Sequence, residues 1–150
     1  MKKLITVRHG HYILYGSWGL SDIGRKQMED LVEKLKSIVG ESVFIITSTA
    51  RRAKESAEVL SAAFSTTYEE HDVLWVESRR PPDGKKILEL VNSRGDRADN
   101  LIVVTHMENV SLPISFAKKT LGFSLNNHVF LQKGEASVLD LETKSLFLVK

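Results

Sequence analysis

The chain of 150 residues contains no cysteine. This absence excludes a disulfide framework, a thiolate zinc site, an iron–sulfur cluster and a cysteine nucleophile. Its apolar runs reach only about six residues, whereas a membrane-spanning helix needs about 20. The charges nearly cancel, with 21 Lys and Arg against 19 Asp and Glu, so the net charge of +2 gives no reason to expect nucleic acid binding.

The N-terminal Met1-Lys2-Lys3 resembles the start of a secretion signal, but the apolar run behind it already ends at Arg8. A chain of this length fits one domain with a substantial hydrophobic core. We therefore expect a single domain over residues 1–150, soluble and cytoplasmic, that binds neither nucleic acid nor a membrane.

Short apolar runs alternate with amphipathic stretches through residue 121. The runs 4–7, 43–46 and 101–104 are typical of buried strands. Helical spacing of apolar residues predicts helices over residues 21–39 (with Ser21 as N-cap), 49–64, 85–94 and 109–121. Residues 68–76 are predicted to be extended, and 129–131, 137–141 and 146–149 to be short strands. The pattern predicts a three-layer α/β/α sandwich with a mostly parallel sheet and a partly antiparallel C-terminal edge.

Polar residues follow each of the three buried strands. Arg8-His9-Gly10-His11 follows the first strand, Thr47-Ser48 follows the second, and His106 comes after the third. Arg51-Arg52 opens the helix behind the second strand. Because ligands of open α/β sheets bind outside the carboxyl ends of the strands, we expect two histidines and at least two arginines to converge there.

This cluster favours an anion, and phosphate in particular. An arginine at a helix N-terminus opposes the helix dipole unless an anion binds beside it. A guanidinium pairs with two phosphate oxygens at once, and a neutral imidazole can act as a nucleophile near pH 7. Taken singly, a histidine after a strand is usually a partly buried, hydrogen-bonded residue and an arginine in a first helical turn is normally solvated, so the interpretation depends on their convergence.

A metal hydrolase is the alternative from another class. His9, His11 and His106 could supply three imidazoles, and His71-Asp72 a carboxylate. The positive charges of the neighbouring arginines would repel a divalent cation, so no metal site is predicted. The sequence has neither a Gly-x-Gly-x-x-Gly motif nor a Walker-type loop, which removes the common nucleotide-binding modules.

Arg8-His9-Gly10 directly after an N-terminal strand resembles the histidine phosphatase superfamily, also called phosphoglycerate mutase-like. Three further segments are similar to its motifs in the same order. Leu20–Gly24 is similar to the family's L-T/S-x-x-G helix start, Ser48–Ala57 to its S-P-L-x-R-A-x-Q-T-A segment, and Val103–His106 to its V-V-S/T-H strand end. The short chain, without a large insertion, is more like the family's compact phosphatases than its mutases.

The resemblance implies a role for each matching residue. His9 would be the nucleophile that forms a phosphohistidine, and His106 would be a second catalytic residue in the phosphate pocket. Arg8, Arg52 and Gly10 would bind the phosphoryl group. Arg51 matches no family position and is expected to be solvated.

The family usually has an acidic residue between its second and third motifs. Glu77 is the candidate general acid, with Asp83 or Glu108 as possible replacements. No cofactor is implied.

The predicted function is a metal-independent histidine phosphatase that hydrolyses phosphomonoesters or phosphohistidine. Its partner would be a small phosphate ester or a phosphohistidine substrate. The alternative is a catalytically weak relative that keeps the pocket for binding or scaffolding a phosphorylated ligand. Three points stay open at this stage: the role of His11, the oligomeric state, and whether Tyr12, Tyr15 and Trp18 line the leaving-group side or pack in the core.

Overall fold

A computed structural model describes residues 1–150 as a six-stranded sheet between two layers of helices. The strands are β1 Lys3–Arg8, β2 Val43–Thr47, β3 Tyr68–Glu70, β4 Asn100–Thr105, β5 Ala136–Asp140 and β6 Ser145–Val149. The helices are α1 Asp22–Lys36, α2 Arg51–Ala63, α3 Gly84–Arg94 and α4 Leu112–Lys119, with 3₁₀ turns at Asp72–Leu74 and Met107–Asn109. None of these helices has the length and apolar character needed to cross a membrane.

The strand order is β3-β2-β4-β1-β5-β6. The first four strands run parallel, β5 pairs antiparallel with β1, and β6 pairs antiparallel with β5. This arrangement confirms the predicted mostly parallel sheet with an antiparallel C-terminal edge. It also brings the carboxyl ends of β1, β2 and β4 to one side of the sheet.

The two faces of the sheet carry separate hydrophobic cores because side chains alternate along each strand. Ile5 and Val7 of β1 pack under α1 and α2, whereas Leu4 faces α3 and α4. Both cores contain fully buried residues of β2 and β4 as well. These central strands are covered on both faces, which explains their unbroken apolar runs.

The starts of the first two helices follow local signals in the sequence. Ser21 is the N-cap of α1, and its hydroxyl accepts a hydrogen bond from the Gly24 N–H. Helix α1 ends at Lys36, three residues before the predicted end, although Val39 still packs in the core. Helix α2 begins at Arg51, so both arginines lie in its first turn.

Three predictions on local structure are wrong. Residues 129–131 form no strand. Strand β1 already pairs with β4 on one side and with β5 on the other, so neither of its edges is open to them. The extended stretch 68–76 is a three-residue strand followed by a 3₁₀ turn. The helix predicted from 109 begins at Leu112, with Pro113 in its first turn, where a missing N–H costs nothing.

Candidate active site

The carboxyl ends of β1 and β4 and the start of α2 enclose a cavity of about 250 Å³. Its lining residues are Arg8, His9, Tyr12, Arg52, Val76, Glu77, Ser78, His106, Met107, Glu108 and Lys133. The convergence of two histidines and two arginines expected from the sequence is therefore found at this edge of the sheet.

His9 is held with one ring nitrogen facing a carbonyl. Its Nδ1 lies 2.9 Å from the Gly10 carbonyl oxygen. Since a carbonyl only accepts, Nδ1 carries the proton and Nε2 keeps its lone pair. The Arg52 Nε–H donates to this Nε2 over 3.3 Å. The ring is only 4% exposed, so packing and two hydrogen bonds orient an unprotonated nitrogen at the cavity.

The protonation state of His9 follows from its surroundings. Burial is the largest effect and lowers the pKa of His9 from 6.5 to about 3. The positive charges of Arg52, Arg8 and Lys133 act in the same direction, whereas the hydrogen bond to Gly10 opposes them. The imidazole is therefore neutral at pH 7, the state in which nitrogen is nucleophilic.

His106 lies beside His9, with ring centroids 5.1 Å apart. Because a guanidinium has only donors, Arg52 Nη2 donates to His106 Nδ1 over 3.4 Å. Nε2 then carries the proton and donates to Ser48 Oγ over 2.8 Å. Burial, followed by the positive charge that His9 carries when protonated and then the charge of Arg52, lowers the pKa of His106 well below its ordinary value. Ser48 thus fixes the second imidazole, a role that the sequence analysis did not assign.

Two arginines supply positive charge to the cavity. Arg52 is 8% exposed, and its guanidinium contacts both histidines. Arg8 donates from Nη1 to the Leu131 carbonyl over 2.8 Å, and its buried Nε has no hydrogen-bond partner. A buried donor without a partner is costly.

Lys133 is a lining residue that the sequence analysis missed. Its Nζ lies 4.9 Å from the centroid of the Tyr12 ring. The neighbouring Gly134 N–H is hydrogen-bonded to the carbonyls of Arg8 at 3.0 Å and His9 at 3.2 Å, which fixes the turn against the segment that follows β1. The turn lies there because β5 runs antiparallel to β1, so the start of β5 meets the end of β1. Only the strand order reveals this proximity.

The three candidate acids occupy different positions. Glu77 lines the cavity, its Oε2 lies 3.6 Å from Arg52 Nη2, and its side chain is 44% exposed. Glu108 also lines the cavity. Asp83 lies outside it, where it caps α3 by accepting the Lys86 N–H.

Gly10 and His11 are engaged with helices instead of lining the cavity. The Gly10 N–H donates to Ser56 Oγ over 3.1 Å, and a Cβ at this position would lie 2.7 Å from the Gly24 carbonyl oxygen. The His11 ring is hydrogen-bonded through Nδ1 to Ser21 Oγ at 2.7 Å. The glycine is thus explained by close packing against α1, and His11 by support of the α1 N-terminus.

The ligands of the metal-hydrolase alternative do not come together. His11 is turned toward Ser21, and His71 Nε2 lies 3.0 Å from Glu69 Oε2. No group of three His, Asp or Glu side chains is placed to hold a metal ion.

The family model described as histidine phosphatase superfamily (branch 1) matches residues 4–75. Several solved structures have the same fold. The protein histidine phosphatase SixA complexed with tungstate has a TM-score of 0.72 and 15% identity, over 99% of this chain and 94% of that chain. Bacillus stearothermophilus YhfR has a TM-score of 0.69 and 16% identity, over 97% and 94%. A mycobacterial glucosyl-3-phosphoglycerate phosphatase has a TM-score of 0.64 and 18% identity, over 99% and 97%.

No curated protein sequence matches the chain. The family match covers the strand that ends in Arg8, the following His9 and Gly10, and the helix start with Arg52. The shared fold continues through His106 to the C-terminal strands. Residues 4–75 thus match the histidine phosphatase superfamily (branch 1), and the whole chain has the fold of the solved phosphatases.

Proposed function

We propose that this protein is a metal-independent phosphatase that hydrolyses phosphomonoesters or phosphohistidine through a covalent phosphohistidine on His9. The orientation of His9 carries the proposal: Nδ1 is tied to the Gly10 carbonyl, and the unprotonated Nε2, which accepts a hydrogen bond from Arg52, faces a cavity lined by three cationic side chains. The match of residues 4–75 to the histidine phosphatase superfamily supports the same reaction class.

In the first step, the lone pair of His9 Nε2 forms a bond to phosphorus while the bond from phosphorus to the leaving group breaks. The electron pair goes to the leaving oxygen, or to the leaving nitrogen of a phosphohistidine. Glu77, which lines the cavity, would deliver the proton that this atom needs. Arg8, Arg52 and Lys133 would bind the three equatorial oxygens. Neutralising the negative charge on these oxygens is the main requirement for catalysis of phosphoryl transfer.

In the second step, water attacks the phosphohistidine. The Glu77 carboxylate would take a proton from the water as its oxygen bonds to phosphorus, and the P–N electron pair returns to His9 Nε2. Inorganic phosphate leaves and the starting state is restored. Throughout, the Gly10 carbonyl keeps the proton on Nδ1, so the same ring nitrogen is used in each cycle.

Metal independence is proposed on the charges of the site. Phosphatases that use divalent cations rely on them to neutralise phosphoryl oxygens and to activate the attacking water. Here Arg8, Arg52 and Lys133 supply positive charge at the same cavity, and a carboxylate supplies the base. Fixed cations at this site would also repel a divalent metal ion.

A catalytically weak phosphate-binding relative is the second candidate. The observation that favours it is the position of Glu77, which is half-exposed and engaged with Arg52 and the Trp75 Nε1–H. Added inorganic phosphate would then bind and stabilise the fold against unfolding, whereas phosphate esters would not be hydrolysed.

The test is hydrolysis of p-nitrophenyl phosphate in EDTA by the wild type, His9→Ala and His128→Ala. His128 is exposed on an irregular segment away from the cavity, so it controls for loss of a histidine. We expect turnover in the wild type and His128→Ala, none in His9→Ala, and an acid-labile, alkali-stable phosphoprotein only where His9 is present.

Full activity in His9→Ala would remove His9 as the nucleophile. Phosphate binding without turnover or phosphoprotein would favour the weak relative. Activity lost in EDTA and restored by added metal would contradict metal independence.

A further inference from the structure

A second groove of about 530 Å³ adjoins the phosphate cavity. Tyr12, Arg52 and Glu77 line both spaces, so they form a shared wall. If Glu77 protonates the leaving atom, that atom must lie at this wall. The leaving group then extends into the groove. Its volume falls in the range of small-molecule sites.

Aromatic rings form much of the groove. Tyr12, Trp18 and Trp75 line it, and these include both tryptophans of the chain. The Tyr12 and Trp18 rings lie 6.2 Å apart with an interplanar angle of 30°. Such rings favour offset stacking with another flat ring.

Two contacts hold the Trp75 side chain in place. The Arg80 guanidinium carbon lies 4.6 Å from the centroid of its ring, and the indole Nε1–H donates to Glu77 Oε2 over 3.4 Å. Arg80 is itself paired with Asp72 at 2.8 Å. The indole is therefore held in place beside the proposed acid.

Trp18 is displayed by a strained loop. Trp18 has a φ of +55°, a backbone conformation that residues with bulky side chains rarely adopt, and it is 49% exposed. The loop is fixed at its base by the bridge between Tyr12 and Leu20, and the Leu20 N–H is bonded to Glu55. Backbone strain that presents a large apolar ring to a groove indicates a binding role.

The charged groups of the groove are already paired. Arg51 lies 2.9 Å from Glu55, and Arg52 lies 3.6 Å from Glu77. Arg51, the cation of the groove that the proposed reaction does not use, is thus neutralised by Glu55 and does not favour a second acidic group on the substrate. The Ser17 and Thr49 hydroxyls also line the groove and offer polar contacts.

We propose that this groove binds the leaving group as a flat aromatic or heteroaromatic ring, stacked on Trp18 and Trp75. The inference rests on the proposed phosphatase function and assigns its substrate class: uncharged, ring-bearing leaving groups over acidic sugar phosphates. The imidazole of a phosphohistidine, a phenol and a nucleoside base share this chemistry.

The test separates binding from turnover by using phosphonates, whose P–C bond the proposed reaction does not break. Benzylphosphonate and cyclohexylmethylphosphonate have equally long arms, but only the first carries a flat ring. The saturated ring is the more hydrophobic of the two, so burial alone would favour it. Tryptophan fluorescence reports binding directly, because both indoles line the groove.

We expect benzylphosphonate to bind the wild type about tenfold more tightly than cyclohexylmethylphosphonate. This ratio corresponds to the free energy of one stacked aromatic pair. Trp18→Leu should abolish most of this preference, with binding followed by calorimetry in that variant. Tyr15→Ala is the matched control: Tyr15 lies on the same loop, is 88% exposed and lines neither space.

Equal affinity for the two phosphonates, or a preference that survives in Trp18→Leu, would overturn the assignment of the groove and leave the phosphatase proposal standing. Failure of inorganic phosphate and of both phosphonates to bind would overturn both proposals. If benzylphosphonate is preferred, kinetics with phenyl phosphate, phosphohistidine and adenosine 5′-monophosphate identify which ring class fits.

Discussion

Arg52 Nε donates a hydrogen bond to His9 Nε2 over 3.3 Å, so a guanidinium lies directly against the proposed nucleophile. The same side chain reaches His106 through Nη2 at 3.4 Å. One residue therefore orders both imidazoles, and under the proposed mechanism it would bind phosphoryl oxygens as phosphorus approaches His9.

Replacing Arg52 by lysine should be far from conservative. A lysine ammonium is a point donor and cannot reproduce the planar fork that contacts both histidines. We expect Arg52→Lys to lower kcat/KM about 10²- to 10³-fold, the usual cost of losing one preorganised donor to a transition-state oxyanion. Arg25→Lys on the exposed surface of α1 is the control. Near wild-type activity in Arg52→Lys would contradict the bridging role.

Lys133 should contribute mainly to substrate binding. It lines the cavity beside His9 and adds a positive charge to those of Arg8 and Arg52. We expect Lys133→Met to raise KM about tenfold, as expected for one lost charge-assisted hydrogen bond, with a smaller effect on kcat. Lys133→Arg should retain most of the affinity. Steady-state kinetics on both variants decide the point, and an unchanged KM in Lys133→Met would remove Lys133 from the site.

The identity of the general acid can be read from the leaving group. Glu77→Gln should slow hydrolysis of an alkyl phosphate by about 10²- to 10⁴-fold, because an alkoxide needs a proton to depart. Phosphoenzyme formation from p-nitrophenyl phosphate should change much less, since p-nitrophenolate leaves without one. Glu108→Gln and Asp83→Asn provide the comparison. If Glu108→Gln shows the leaving-group dependence instead, Glu108 is the acid.

Stability should fall as the solution becomes acidic. The unfolded chain protonates His9 near pH 6.5, but the folded protein does so only near a pKa of about 3, because the site is buried. Between these values the unfolded state binds more protons, so stability is full above pH 6.5 and decreases as the pH falls toward 3. His106, whose pKa is also lowered, adds to the effect.

Thermal unfolding at pH 7.5 and pH 5 measures this loss. We expect His9 alone to account for about 2 kcal/mol between these pH values. His9→Asn should reduce the pH dependence, whereas His128→Asn, at an exposed position, should leave it as in the wild type. Identical pH dependence in all three proteins would show that the buried imidazole is not the cause.

The contact between Gly10 and Gly24 should be intolerant of side chains. A Cβ on Gly10 would lie 2.7 Å from the Gly24 carbonyl oxygen, and one on Gly24 would lie 1.9 Å from the His11 carbonyl oxygen. We expect either alanine substitution to lower the melting temperature by several degrees, since overpacking costs about 1–3 kcal/mol. Gly40→Ala is the control, because nothing lies within 4 Å of its Cβ position.

Local pattern in the sequence was sufficient for most of the elements and for much of the site. The apolar runs before Arg8 and His106 predicted two central strands, and parallel strands bring their carboxyl ends together. Ser21 marked the start of α1, and the helix that opens with Arg51-Arg52 followed β2 as expected. Signals of this kind lie in a few consecutive residues, so they can be recognised in the sequence without knowledge of tertiary contacts.

Long-range pairing decided the rest. Lys133 reaches the cavity only because β5 runs antiparallel beside β1, a partnership that no local pattern encodes. Side-chain direction was likewise set by packing. His11 turns to Ser21 although it follows His9 by two residues, and Trp75 lines the second groove from the end of a 3₁₀ turn. The sequence thus determined which chemical groups stand at the strand ends, while the tertiary structure alone decided which of them face the same space.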